Sequence, residues 1–127
     1  MKVAISYPPL ESPEGVPLLS QNRQFQWFTE PTYIYPMVPA YAATLLKRAG
    51  YEVIWDDGIA EEKSYEQWLE DIVREEPDVI AIETKTPVVK RHWRIIDELK
   101  ERLPRAKVVL MGDHVTALPL ESFAHSK

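Results

Sequence analysis

The stretch Lys107-Val-Val-Leu-Met-Gly-Asp-His-Val-Thr-Ala-Leu-Pro119 decides the fold of this chain. It begins with a short apolar run that predicts a buried strand, and it continues through Gly112 into a polar loop and a second apolar segment. A glycine at the carboxyl end of a strand lets the backbone approach a ligand closely. Because open parallel sheets bind ligands at that end of their strands, the stretch predicts a ligand-binding edge.

Three further apolar runs have the same near-continuous character, which burial on both faces of a parallel sheet produces. The four predicted strands are Val3–Tyr7, Glu52–Trp55, Asp78–Ile82 and Lys107–Met111. Helical patterns separate them, so the order along the chain is β-α-β-α-β-α-β. Right-handed crossovers then predict an α/β fold, a doubly wound parallel sheet with helices on both faces.

The helical patterns carry apolar stripes with the spacing of an α-helix. In the first helix, Tyr41, Leu45 and Leu46 predict one apolar face, and Gly50 predicts the end of the helix. The stripes of the next two helices are Tyr65, Trp68, Leu69, Ile72 and Val73, and then Val89, Trp93, Ile96, Leu99 and Leu103.

Polar residues and prolines predict where these two helices begin and end. Ser64 and Gln67 form a capping box before the second helix. We expect Thr86 to be the N-cap of the third helix and Pro87 to be its first residue. Pro104 predicts the end of that helix.

The segment from Pro8 to Pro39 interrupts the alternation of strands and helices. It holds 7 of the 11 prolines and several aromatic residues. A loop of about thirty residues is uncommon inside a compact domain, and the aromatic residues argue against plain disorder. We expect an ordered lid or docking loop at the ligand end of the sheet. The alternative is a partner-facing loop that lacks fixed structure when isolated.

The composition is that of one globular domain, residues 1–127. The net charge of −5 argues against a nucleic-acid partner, because phosphate contacts need clustered Lys and Arg. Since there is no cysteine, this chain cannot hold a thiolate-bound zinc, an iron–sulfur cluster or a disulfide. The one basic cluster is expected to be a solvated helix face and consists of Lys85, Lys90, Arg91, His92 and Arg94.

Nothing in the sequence predicts secretion or a membrane partner. No run approaches the roughly 20 apolar residues of a membrane span. Val3–Tyr7 is too short for the apolar part of a signal peptide. We therefore expect a cytoplasmic protein.

Two threonines follow the third predicted strand at the ligand edge. The hydroxyls of Thr84 and Thr86, together with backbone N–H groups, suit phosphate or amide oxygens. The alternative for Thr86 is a capping role alone, which leaves Thr84 unexplained. The pair therefore predicts a ligand contact.

The other polar residues of this edge give no catalytic motif. Asp113 beside His114 is weak evidence for a metal or an acid–base pair, because neighbours in a loop rarely face each other. Asp56 and Asp57 before Gly58 are typical of a turn. There is no glycine-rich nucleotide motif, and no nucleophile can be paired with a base.

Four segments, taken in their order and spacing, carry a resemblance to a known family. They are Val3-Ala-Ile-Ser-Tyr-Pro-Pro9; Pro36-Met-Val-Pro-Ala-Tyr-Ala-Ala-Thr-Leu-Leu-Lys-Arg-Ala-Gly-Tyr-Glu-Val53; Glu76-Pro-Asp-Val-Ile-Ala-Ile82 with Thr84-Lys-Thr-Pro87; and Leu103-Pro104 with the stretch from Lys107 to Pro119. The last is similar to the family pattern Gly-Gly-x-His-x-Thr-x-x-Pro. Together they resemble the vitamin B12 (cobalamin)-binding domain that precedes many radical S-adenosylmethionine enzymes, over nearly the whole chain.

The resemblance implies a flavodoxin- or Rossmann-like sheet in the strand order 2-1-3-4, with the family's fifth strand missing. It implies cobalamin as the cofactor. The family's Asp-x-His-x-x-Gly motif is absent here, so the resemblance implies that no protein histidine lies below the cobalt and that no metal-ligating residue is present. The implied cofactor-binding residues are Pro8, Pro9, Pro36, Thr84, Lys85, Thr86, Gly112, Asp113, His114, Val115 and Thr116.

The resemblance also implies partners beyond this chain. The cysteine motif for a 4Fe-4S cluster, and the site for S-adenosylmethionine, are expected in a C-terminal radical S-adenosylmethionine domain that follows. This chain alone is therefore not expected to be a catalyst. A strand at an open sheet edge recruits other strands, so the isolated chain is also expected to form a homodimer, or to associate weakly, through the Val108–Met111 edge. The alternative contact is the aromatic loop of Phe25, Trp27 and Phe28.

Two other functions stay open. In the first, the domain binds no corrin and serves as a protein-interaction module; Met111 and Pro39 favour it, because they stand at or near family glycine positions. In the second, the chain is a phosphoacceptor receiver domain of the same fold. That function requires an Asp at the end of the third strand, where this chain has Glu83.

Overall fold

A computed structural model describes residues 1–19 and 25–126, so residues 20–24 of the long loop and residue 127 lie outside the described part. The strands are β1 (Lys2–Tyr7), β2 (Val16–Leu18), β3 (Gln26–Phe28), β4 (Glu52–Asp57), β5 (Val79–Glu83) and β6 (Lys107–Met111). The helices are α1 (Met37–Arg48), α2 (Tyr65–Glu75), α3 (Val89–Arg102), α4 (Asp113–Ala117) and α5 (Pro119–His125).

The main sheet is parallel and has the order β4-β1-β5-β6. These strands are the four that the apolar runs predict, so the predicted order 2-1-3-4 and the doubly wound α/β fold are confirmed. The register places Ile5 of β1 beside Trp55 of β4 and Ala81 of β5. β1 and β5 lie in the middle, which explains why their apolar runs are nearly continuous.

The main core lies between the sheet and the helices α2 and α3. Ala4 and Ile80, which are paired in the sheet, are fully buried, as are Trp68 of α2 and Leu99 of α3. From β1 the chain moves to β4 on one side, and it then crosses back over β1 to β5 on the other side. Right-handed crossovers therefore place α1 on the face of the sheet opposite α2 and α3. Because the four strands are parallel, their carboxyl ends lie at the same edge of the sheet.

The prediction for the buried face of α1 is wrong. Tyr41 and Leu45 are each 65% exposed, whereas Ala42, Ala43 and Leu46 are half-buried. Apolar residues occur nearly all round this helix, so periodicity alone does not select the face. Contact with the edge strand β4 selects the alanine face, because its small side chains let the helix approach the sheet.

Two of the predicted helix boundaries are confirmed. The Ser64 hydroxyl accepts the Gln67 backbone N–H at 3.1 Å, which is one half of the predicted capping box. Gly50 follows α1 with a φ of 91°, and its N–H donates to the Lys47 carbonyl at 3.1 Å. A positive φ of this kind favours glycine, so the residue ends the helix as predicted.

The predicted start of α3 is wrong. The helix begins after Val88, without a side-chain cap, and Thr86 and Pro87 lie in the preceding turn. The Val88 N–H donates to the Lys85 carbonyl at 3.0 Å, which closes that turn. The predicted solvated basic face is also wrong at one position, because His92 is fully buried.

The described part of the long loop is packed against the domain. β2 and β3 pair antiparallel, with Pro17 opposite Trp27. Leu18 and Leu19 are buried. Arg91 of α3 makes two contacts with the loop. Its Nη1 donates to the Glu11 carbonyl at 2.8 Å, and its guanidinium lies 5.2 Å from the centre of the Trp27 ring. Within the described residues, no helix has the length and apolar character to cross a membrane.

Candidate functional site

The loops that follow β5 and β6 meet at the carboxyl edge of the sheet. The Thr84 N–H donates to the Met111 carbonyl at 2.8 Å. Gly112 has a φ of 123°, and a Cβ added there would lie 2.4 Å from the Thr84 carbonyl oxygen. The close approach that Gly112 permits is therefore to the chain's own backbone. A contact between Gly112 and a ligand stays a prediction.

Thr84 itself is enclosed by protein. Its side chain is fully buried, and its hydroxyl lies 2.7 Å from Nδ1 of His92 on α3. This bond explains why a hydroxyl residue stands at the end of β5, which capping does not explain. Sequence reasoning missed His92, because the helical spacing of the basic cluster looked like that of an exposed face.

The next two residues of the β5 loop reach toward α4. Lys85 Nζ lies 3.7 Å from the Asp113 carboxylate, which is exposed. The Thr86 hydroxyl lies 3.1 Å from Nδ1 of His114. The structure therefore brings Thr84, Lys85 and Thr86 together with Gly112, Asp113 and His114. Thr86 and Asp113 are exposed and Lys85 is half-buried beside them, and these three form the polar rim of the edge.

His114 has a protein group at each ring nitrogen. Thr86 lies at Nδ1, and Nε2 lies 3.0 Å from the Glu121 carboxylate, within ion-pair distance but outside hydrogen-bond geometry. The ring is 7% exposed and also meets the edge of Trp93. In the described part of the chain, no three His, Asp or Glu side chains are grouped to hold a metal ion.

The predicted proline contacts lie in a different part of the edge. Pro8, Pro9 and Pro36 are all buried. Pro36 lines a cavity of about 240 Å³ between the strand ends and the long loop. Pro9 lines a neighbouring cavity of about 430 Å³ under the same loop. Thus Pro9 and Pro36, which belong to the long loop, line the cavities that the loop encloses, and neither cavity is lined by Thr86 or Asp113.

The last two predicted site residues face the outer side of β6. Val115 is half-buried and Thr116 is exposed, and both line a cavity of about 560 Å³. The remaining lining comes from β6, α3 and α5, with Phe123 at its rim. Gly112 lines the same cavity and its carbonyl accepts the Thr116 hydroxyl at 2.9 Å, so Val115 and Thr116 adjoin the polar group on its β6 side.

Asp56, at the end of β4, is a buried carboxylate, whereas the sequence predicts only that it is part of a turn. Asp56 Oδ2 accepts the Ser6 hydroxyl at 2.6 Å and Trp68 Nε1–H at 2.7 Å. Burial raises the pKa of Asp56, and the bonds from Ser6, Lys63 and Trp68 oppose that rise. The network ties β1, β4 and α2 together, whereas the neighbouring Asp57 accepts the Ala60 N–H as a turn residue does.

Aromatic side chains cover the other face of the same strand ends. Tyr7 donates its hydroxyl to the Glu83 carboxylate at 2.7 Å. The ring of Trp55 lies 6.1 Å from the Tyr7 ring and 5.8 Å from the Tyr35 ring, centre to centre. Through these contacts the long loop, which supplies Tyr35, reaches the middle of the carboxyl edge.

A doubly wound sheet with its polar loops gathered at the carboxyl edge is the architecture of a ligand-binding α/β domain. Residues 31–126, about three quarters of the chain, match the family model of the B12 binding domain. The chain therefore belongs to the B12-binding domain family. No curated protein and no solved structure matches it. β1 lies before the matched region, although it pairs with both β4 and β5.

The described residues fit cobalamin as a ligand laid across the edge. A corrin with its nucleotide is larger than either cavity beneath the long loop, whereas Thr86 and Asp113 are exposed at the edge with Lys85 half-buried beside them. These side chains offer a cation, a hydroxyl and a carboxylate, which suit the amide groups around a corrin. Protein groups lie beside both ring nitrogens of His114, which is 7% exposed, so its ring is largely covered.

Proposed function

We propose that this chain binds cobalamin across the carboxyl edge of its sheet, without a histidine ligand from the protein. The observation that supports the proposal is the polar rim of Lys85, Thr86 and Asp113 at the carboxyl edge of the sheet, the edge at which open α/β sheets bind ligands. The two loops that carry the rim are bonded to each other and to α3 and α4, so they are ordered before any ligand arrives. Such pre-organisation lowers the entropic cost of binding.

Within a larger enzyme, the bound cobalamin would supply a cobalt centre that carries a methyl group or supports a rearrangement. The chain's own residues would bind and orient the corrin, and the long loop would shield it from water. We propose a radical S-adenosylmethionine domain, with its S-adenosylmethionine and 4Fe-4S cluster, as the partner. The motif resemblance supports this partnership, and a cytoplasmic location stays a prediction.

The test is the retention of hydroxocobalamin. The chain is incubated with hydroxocobalamin, desalted, and examined for visible absorbance. We expect the absorbance to stay with the protein. Lys85→Ala should weaken retention, because it removes the cation of the rim, whereas Arg105→Ala is a charge-matched control at the amino edge of the sheet and should not. A protein that is folded and colourless after desalting would contradict the proposal.

A second function is favoured by one observation on α1. Val38 is 74% exposed, and it lies on the same side of the helix as the exposed Tyr41 and Leu45. An apolar stripe of this kind is typical of a protein-interaction surface. In this alternative the domain serves as a docking module without corrin. It predicts a folded chain that retains no hydroxocobalamin and whose association with a partner domain is lost in Tyr41→Asp.

A further inference from the structure

His92 is an unusual residue for the interior of this domain. It lies in the first turn of α3 and is fully buried, and its Nε2 has no hydrogen-bond partner among the described residues. Burial lowers the pKa of His92 to about 4, so the ring is neutral at neutral pH. A buried polar atom without a partner destabilises a fold. An apolar residue would avoid that penalty, so the presence of a histidine at this position needs an explanation. The contact of its other ring nitrogen supplies one.

The other nitrogen holds Thr84. Nδ1 lies 2.7 Å from the Thr84 hydroxyl, in a fully buried contact between α3 and the end of β5. Thr84 could adopt other side-chain rotamers if this bond were absent, because its hydroxyl would then seek a different partner. His92 therefore selects the orientation of the first residue of the β5 loop.

Thr84 in turn fixes the loop after β6. Its N–H donates to the Met111 carbonyl, and its carbonyl oxygen fills the space beside Gly112. The chain leaves Gly112 directly into Asp113, which is part of the accessible rim. A shift at Thr84 would consequently move both the β5 loop, which carries Lys85 and Thr86, and the β6 loop, which leads into Asp113.

We infer that His92 is a positioning residue for the cofactor-binding edge, which sets the β5 and β6 loops through its bond to Thr84. The inference rests on the proposed function only for the identity of the ligand. The positioning itself is a property of the free chain and can be measured without cobalamin. The distinction matters, since it allows each of the two proposals to fail separately.

The first experiment compares two substitutions of similar size. His92→Leu removes the bond to Thr84, whereas His92→Asn places an amide group near the position of Nδ1 and keeps the bond. Affinity for hydroxocobalamin is measured by absorbance titration. We expect His92→Leu to weaken binding about threefold to tenfold, the effect of one neutral hydrogen bond, and His92→Asn to restore most of it. Equal affinities in the wild type and a folded His92→Leu chain would overturn the inference.

A control separates positioning from general stability. Leu99 is also fully buried on α3 but lies two turns further along the helix, away from both loops. Leu99→Ala should lower the stability of the chain without changing its affinity for hydroxocobalamin. If Leu99→Ala weakens binding as much as His92→Leu does, the effect of His92 is loss of stability, and the inference fails.

A second measurement needs no ligand. Amide hydrogen exchange is followed for the backbone of residues 84–86 and 112–116. We expect faster exchange in both loops for His92→Leu, and wild-type exchange for His92→Asn and Leu99→Ala. Unchanged exchange in His92→Leu would refute positioning even if the chain binds cobalamin. Conversely, faster exchange in a chain that retains no hydroxocobalamin would uphold positioning and reject the proposed function.

Discussion

The hydroxyl of Thr86 and the Nδ1 atom of His114 lie 3.1 Å apart, and this contact joins the loop after β5 to the helix after β6. The residues are 28 positions apart in the sequence. Thr86 therefore bonds to His114, whereas its position in the sequence predicts that it caps α3. The contact also occupies Nδ1 of the histidine that stands beside the rim, while Nε2 of that ring lies 3.0 Å from the Glu121 carboxylate.

We expect the spectrum of the bound corrin to be unchanged in His114→Ala. The reason is that Nδ1 faces Thr86 and Nε2 faces Glu121, so neither nitrogen is available to cobalt. The visible spectrum of the protein with hydroxocobalamin, after desalting, is compared with that of the wild type. A shift of the corrin absorbance bands in the variant would show that His114 is a cobalt ligand.

Thr84→Val and Thr86→Val should differ in their effect on stability, because Thr84 is buried and Thr86 is exposed. Thr84→Val leaves the buried Nδ1 of His92 without its partner, so we expect a loss of about 1–3 kcal/mol in the free energy of unfolding. Thr86 is exposed, and water can replace its bond to His114, so Thr86→Val should have a smaller effect on stability. Urea denaturation, followed by tryptophan fluorescence, measures both.

The same two variants test ligand contact. If the pair helps to bind the corrin, the double variant should lose about 1–3 kcal/mol of binding free energy for hydroxocobalamin. Because Thr84 is fully buried and Thr86 is exposed, Thr86→Val alone measures direct contact. Unchanged affinity together with lowered stability would restrict both threonines to a structural role.

The stability of the chain should depend on His92 below neutral pH. The ordinary pKa of 6.5 falls to about 4 in the folded chain because of burial. Between these values the unfolded state binds more protons, so the stability that neutral His92 contributes above pH 6.5 is lost as the pH falls toward 4. The wild type should therefore lose stability more steeply in this range than His92→Asn. Parallel unfolding profiles for the two proteins would contradict the prediction.

We expect the isolated chain to associate through β6. This strand is the last of the described sheet, and Val109 is 46% exposed on it. Open edges pair with other strands, and a lysine on an edge opposes such pairing. Light scattering should show dimers for the wild type and a shift toward monomer for Val109→Lys. Gln67→Lys, at an exposed position of α2, introduces the same charge as a control and should leave this association unchanged. A wild type that is monomeric at high concentration would exclude the edge contact.

The strands and their order were predictable from local sequence patterns. The run Val3–Tyr7 is apolar except for Ser6, as expected for a strand that is covered on both faces, and β1 lies in the middle of the sheet. The cap at Ser64 was also predictable, since its partner Gln67 is three residues away. Such features depend on the spacing of neighbours, which the sequence contains directly.

The partners of the polar residues were decided by the tertiary structure alone. Ser6 meets Asp56 across 50 positions, and the bond exists only because β1 and β4 are paired in register. His92 has the spacing of an exposed basic residue, yet the crossover from β5 into α3 turns it onto Thr84. In the same way the sheet edge selects the alanine face of α1. Periodicity shows which residues share a face, but the direction of that face depends on what the chain brings against it, because burial is a property of the packed whole.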